Sequence, residues 1–148
     1  MRKPALRDAV AERWLHRISA PLVAIVEAEG PAPVRLRQWF GTLRALKRRK
    51  LLDDPELFAT YHALAEATQV AVQGHVIELQ SHLTRLIEAG MAEGSFKPGD
   101  PRVMARAVFD ATTRFHHPMH AASWTEPDND ARFEQVWALV MEGLVQGR

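Results

Sequence analysis

The stretch GMAEGSFKPGDPRVMARAVFDATTRFHHP, residues 90–118, decides the fold. Gly90, Gly94 and the pair Pro98-Gly99 make a turn signal, because glycine reaches backbone conformations closed to other residues and proline cannot continue a helix. Asp100-Pro101 then reads as a helix start: a carboxylate that accepts from free backbone N–H groups, followed by a proline whose fixed φ suits the first turn. Stepping at helical pitch from there places Val103, Ala107, Asp110 and Arg114 along one shoulder, with Met104, Ala111 and Phe115 beside them facing a core. Ala105, Phe109, Thr112 and His116 fall on the opposite side, where small residues would let another helix come close. The spacing predicts a helix from Asp100 to about Phe115, ended or kinked at Pro118.

The same punctuation divides the rest of the chain. Upstream, Leu6, Val10, Trp14, Ile18, Leu22 and Ile25 predict a first helix from Pro4 to Glu29, stopped by Gly30 and kinked by Pro21 near Arg17 to Ala20. After the tight connector Pro31-Ala32-Pro33, the residues Leu36, Phe40, Leu43 and Leu46 mark a second helix running out near Leu51. Asp54-Pro55-Glu56 repeats the start signal. The pattern through Leu57, Tyr61, Leu64 and Ala65 weakens around Thr68 and Gln69, then Val72, Val76, Leu79, Leu83 and Leu86 carry it to Gly90, so two helices with a join or one broken helix are expected. Downstream, a last helix opens near Pro127 or Asp128. Its Phe133, Val136, Trp137, Val140, Met141, Leu144 and Val145 form an apolar arc wide enough to touch two surfaces. Strand-like runs bounded by hairpin signals are absent. The expectation is a single all-α domain over residues 1–148, an antiparallel bundle of five to six helices.

Composition narrows the function. At 148 residues and 47% hydrophobic content the chain can bury a core of its own. It has no cysteine, which excludes disulfide scaffolds, thiol nucleophiles and thiolate metal sites and suits a reducing, cytoplasmic home. The longest apolar run, Val136 to Met141, falls far short of the roughly 18 residues of a membrane span, and the first dozen residues are too charged for a signal peptide. No membrane partner is expected. The net charge of +1 hides an asymmetry: the first fifty residues hold twelve Lys/Arg against four Asp/Glu. The densest cluster runs from Arg44 to Lys50. It reads either as one pole facing an anionic partner, nucleic acid above all, or as a solvated face whose cations offset the negative end of a helix.

Catalytic signatures are missing: there is no Gly-rich phosphate loop, no nucleophile elbow and no carboxylate pair in a recognisable context. The chain is expected to be no enzyme and to need no cofactor. What stands out is a set of polar groups beside apolar stripes. Asp110 and Arg114, spaced i,i+4, must be paired or solvated if even partly buried. With Trp14, Tyr61, His62, His75 and His117 they are candidates to line a largely apolar pocket. The seven histidines carry a rival reading, a helical metal-binding protein or metal-dependent enzyme with His62, His75, Asp110 and His117 converging as ligands. His116 and His120 share an i,i+4 spacing, but Pro118 lies between them.

The phrases that carry this organisation resemble one known family. Pro4 to Val10, Pro55 to Glu66, Gly90 to Phe96 leading into Asp100-Pro101, and Asp110 to Pro118 are similar, in order and spacing over essentially the whole chain, to the C-terminal effector-binding and dimerisation domain of tetracycline-repressor (TetR) family transcriptional regulators. The resemblance implies a homodimer, its last two helices pairing with their symmetry mates in a four-helix seam. Ala105, Phe109, Thr112, His116, Phe133, Trp137, Val140, Met141 and Leu144 are the residues expected at that seam. It also implies a small, largely apolar effector that controls transcription, as a repressor, through operator DNA. The DNA-reading headpiece of the family would precede Pro4, and the three residues ahead of it cannot form a recognition helix. DNA contact is therefore expected only through a headpiece outside this chain. A trimmed chain, a start assigned late or a headless paralogue would each look like this.

Overall fold

The computed structural model describes residues 3–56, 58–59 and 69–147. Its α-helices are α1 (Lys3–Glu27), α2 (Ala32–Asp53), α3 (Gln69–Ala92), α4 (Pro101–Ala111) and α5 (Asn129–Leu144). Two 3-10 turns, Thr113–Phe115 and Pro118–Ser123, link α4 to α5, and residues 55, 56, 58 and 59 are also helical. Among the described residues there is no strand, only an isolated antiparallel bridge between Phe96 and Val145. The all-α architecture matches expectation. No helix among the described residues is long and apolar enough to cross a membrane.

Helix α3 is the centre of the bundle, packed against α1, α2 and α4. The reason is the width of its apolar stripe: Leu79, Leu83, Leu86 and Ile87 are fully buried, against Ile18 and Leu22 of α1 and Leu36, Trp39, Phe40 and Leu43 of α2 in one continuous core. Helix α1 runs without a break through Pro21, which is exposed. At its end Gly30 takes φ 122°, and the Arg35 guanidinium donates to the carbonyls of Gly30 and Val26, satisfying acceptors that a helix terminus leaves open. The Ala32 N–H donates to the Glu93 carboxylate at 2.9 Å, tying the start of α2 to the turn after α3.

That turn depends on one glycine. The Gly90 carbonyl accepts from the N–H groups of Ser95 and Phe96, at 2.8 and 3.1 Å, and Gly94 reverses the chain at φ 83°. The fold brings the buried Phe96 ring back over Gly90 so closely that an added Cβ would lie 2.1 Å from it. We expect Gly90→Ala to cost about 1–3 kcal/mol through overpacking, although alanine is the better helix former by roughly 1 kcal/mol. Gly143→Ala, where a Cβ meets nothing within 4 Å, should stabilise instead. Urea unfolding of both variants checks this, and a shared sign would refute the steric account.

Helix α4 begins as its sequence dictates: the Asp100 carboxylate accepts from the N–H groups of Arg102 and Val103, at 3.0 and 3.4 Å. It ends at Ala111, one turn short of the expected Phe115. The Thr112 hydroxyl reaches the carbonyls of Val108 and Phe109, and the Thr113 hydroxyl reaches that of Phe109, so side chains compete for the acceptors the next helical turn would use. The His117 ring Nδ1 then accepts from the Met119 N–H and starts the second 3-10 turn.

The faces of α4 differ in part from those expected: Phe115 is buried and Met104 packs against the core as read, but most of the rest of that side is turned outward. Ala105, Val108, Phe109, Thr112 and His116 are buried in the chain's own core, whereas Val103, Ala107, Asp110 and Ala111 are exposed. Small Ala105 is fully buried within the chain, on a helix packed against α3. The correction extends to α5, where Phe133, Trp137 and Leu144 are buried within the chain and only Val140 and Met141 keep part of their surface outside. Phe133 lies 5.3 Å edge-on to Phe115 and stacks at 5.8 Å on Trp137, which in turn lies 5.2 Å from Phe40. The guanidinium groups of Arg44 and Arg37 stand 4.1 and 5.0 Å from the Phe133 ring. They also pair with Asp130 and Glu134, respectively. Two basic residues of α2 thus clamp α5 onto the body.

A buried cluster of unpaired bases

The apolar stripe of α2 steps through Leu36, Phe40 and Leu43, and its next member at helical spacing is Lys47. Lys47 is 4% exposed and makes no ion pair or hydrogen bond with any described residue. Desolvation alone brings its pKa down from 10.5 to about 7. From α3, His75 is buried with both ring nitrogens unpartnered. Burial, with lesser contributions from Lys47 and His82, pushes its pKa down to about 3. From the turn after α4 comes His116, 1% exposed, its Nε2 3.1 Å from the Thr112 hydroxyl. Its ring packs 4.7 Å from Phe109 and 6.3 Å from Phe40. Desolvation holds His116 well below its ordinary pKa; Lys47, His117 and His75 push the same way, against a hydrogen bond to the Phe109 backbone.

Three buried basic groups thus come from three elements, and no carboxylate among the described residues forms an ion pair with them. Near neutral pH both histidines are neutral and Lys47 titrates. His82 differs: its Nδ1 accepts from the Trp39 indole N–H at 3.3 Å and its Nε2 lies 3.9 Å from Glu78, so it is a satisfied core histidine. Buried polar atoms without partners cost about 1–3 kcal/mol each, and a strongly shifted group in a cleft is a candidate for a functional site. Of these groups His75 lines a cleft of about 750 Å³ between α1 and α3, whose charged walls are Glu12, Arg13, Arg17 and Glu78.

Of the residues singled out in the sequence, His75 belongs to this cluster. Trp14 is buried in the core with its ring 6.1 Å edge-on to Phe58. Asp110 lies on the outer face of α4 and makes no ion pair with Arg114, which is half-buried. His117 is half-buried and engaged as a cap. Tyr61 and His62 lie outside the described residues. Among the described residues no three His, Asp or Glu side chains gather as a metal site, and His75 in the core does not converge with Asp110 on the surface. Lys47 and His116 were not singled out as pocket residues. The legible signal for Lys47 was its register four residues after Leu43, hidden within a basic run that reads as surface. The run itself is dispersed by the fold: Arg44 and Arg48 face Asp130, and Arg49 pairs with Asp53.

No curated protein matches the chain. A family model described as the tetracyclin repressor-like C-terminal domain matches residues 32–137, from the start of α2 into α5, and so takes in Lys47, His75 and His116. With a helical bundle of the expected order on the same residues, the chain belongs to the tetracyclin repressor-like C-terminal domain family.

Proposed function

We propose that this regulatory domain senses a small, largely apolar effector at the cleft that His75 lines and forms a homodimer. Effector binding would control operator binding, as a repressor, by a headpiece attached ahead of α1. The observation that carries the reading is His75, buried with both ring nitrogens unpartnered and lining a cleft between α1 and α3: a few fixed polar groups on apolar walls are what a small-molecule site contains. Helix α1 packs on α3, which holds His75. An occupant beside His75 would bias the position of α1 and so shift the population of headpiece spacings.

Support for the dimer comes from the family and from what the outer faces offer. Val103 on α4 and Leu139 on α5 are 52% and 71% exposed, and the half-buried Val140 and Met141 lie close to Leu139 in sequence. A second copy covering these residues gives the isologous contact common to closed dimers. Sedimentation velocity should show a dimer for the native chain and a monomer for Leu139→Glu, with unchanged helical circular dichroism. A native chain that is monomeric at tens of micromolar would end this part of the reading.

A further inference from the structure

A hollow of about 410 Å³ lies where the second half of α2 meets the 3-10 turns and the start of α5. Its charged walls are Arg44, Arg48 and Arg49 with Asp53 and Asp130. Two of the guanidinium groups converge on a single atom: Asp130 Oδ1 lies 2.8 Å from Arg44 Nη2 and 4.0 Å from Arg48 Nη1. Arg49 pairs with Asp53 at 3.3 Å. Three cations thus meet two carboxylates, and Arg48 has only a distant share of an oxygen that Arg44 already holds. Arg44 is the fixed member, its side chain 15% exposed and its guanidinium resting 4.1 Å from the Phe133 ring. The buried Asn129, in the amide orientation that gives both its atoms partners, accepts from Arg44 Nη2 and donates to the Ser123 carbonyl, each at 3.2 Å. The buried Arg44 Nε–H has no partner among the described residues. Asp130, by contrast, is 73% exposed and free to turn its carboxylate to water.

Leu52, Phe115 and Trp124 make the apolar wall, and the Trp124 indole N–H is already satisfied by the Arg114 carbonyl at 3.1 Å. One uncompensated positive charge calls for one negative charge, and a carboxylate meets guanidinium forks with paired hydrogen bonds. A phosphate dianion or a nucleic-acid backbone would bring further negative charge against Asp53 and Asp130. We propose that this hollow is a small-molecule site for an aromatic monocarboxylate, its carboxylate replacing that of Asp130 between Arg44 and Arg48 and its ring lying along Leu52, Phe115 and Trp124. Asp130 is then a tethered competitor for the same two donors. The site goes beyond the effector reading and does not depend on it, since the hollow shares no residue with the cleft beside His75.

Calorimetry on the full chain at physiological ionic strength tests this with 2-naphthoate, 2-naphthylmethanol, inorganic phosphate and a short DNA duplex of random sequence. 2-Naphthoate should bind with one equivalent per chain, about tenfold or more above its alcohol, the discrimination one charge-assisted contact gives. Arg48→Met, at a side chain 42% exposed, should keep its helical circular dichroism and weaken 2-naphthoate by roughly three- to tenfold. Asp130→Asn should strengthen it by about fivefold, because the competing charge is gone. A solvated ion-pair network with no ligand predicts no such gain. The proposal is overturned by equal affinity for the naphthoate and its alcohol, by unchanged or weaker binding in Asp130→Asn, or by phosphate or duplex binding more tightly than 2-naphthoate. A loss in His75→Leu as large as that in Arg48→Met would place the probe in the cleft between α1 and α3 and overturn it equally. Absence of any 2-naphthoate binding ends it too, and leaves the effector reading beside His75 untouched.

Discussion

Lys47→Met should raise the stability of the domain by about 1–4 kcal/mol near pH 7, the range reached when buried ion pairs give way to apolar side chains of similar volume. For a chain of this size that is a rise of roughly 3–15 °C in Tm. The folded pKa of Lys47 is about 7 against 10.5 for an exposed lysine. Between those values only the unfolded chain holds the proton, so folded stability increases with pH across that window and is lowest below it. Over the whole window the change is on the order of 5 kcal/mol.

His75 acts in the acid range: with a folded pKa of about 3 against 6.5, it leaves the unfolded chain as the better proton acceptor between them. Stability is therefore lost as pH falls from 6.5 toward 3. The native chain should grow more stable from pH 4 to beyond pH 9, whereas Lys47→Met should keep the acid loss and flatten the alkaline rise. Urea unfolding across that range checks both. A destabilised Lys47→Met chain, or a native profile flat above pH 7, would mean that Lys47 has a compensating partner. A stabilising deletion at the centre of a fold is the signature of a residue kept for function.

The second large effect is a loss. Phe133→Ala should cost about 3–5 kcal/mol, because its fully buried ring holds α5 between Phe115 and Trp137 and lies beneath the guanidinium groups of Arg37 and Arg44. Removing the ring leaves a cavity and takes from both arginines the π face they rest on. Phe133→Leu should recover part of the loss by filling volume without supplying that face. Amide hydrogen exchange should localise the damage to residues 129–144, and since Leu139 lies on this helix the dimer should weaken too. A cost below about 1 kcal/mol would show that α5 is held by its ion pairs instead of its rings.

Much of the fold was written in local chemistry. Asp100-Pro101 predicts a capped helix start and the structure supplies both cap hydrogen bonds. Gly30 and Gly94 fall where the chain needs positive φ. The misread end of α4 had a local cause, the paired threonines that capture helical carbonyls, and it was there to be seen in Thr112-Thr113.

The site was less legible, and two residues show why. Helical spacing states which residues share a face of α4, but Val103 with Ala107 and Ala105 with Phe109 are both apolar enough to be the inner one. Contact with α3 settles it, since only one face can lie against the widest apolar stripe. Lys47 carries the same charge in the sequence as Arg48 and Arg49, whose guanidinium groups face Asp130 and Asp53. Its inward turn depends on how the helices assemble. The sequence by itself determined the described helices, their order and their starts, because capping, proline geometry and periodicity act within a few residues. Only the tertiary structure decided which faces turn inward and which charge loses its water, because burial depends on segments far apart in the chain.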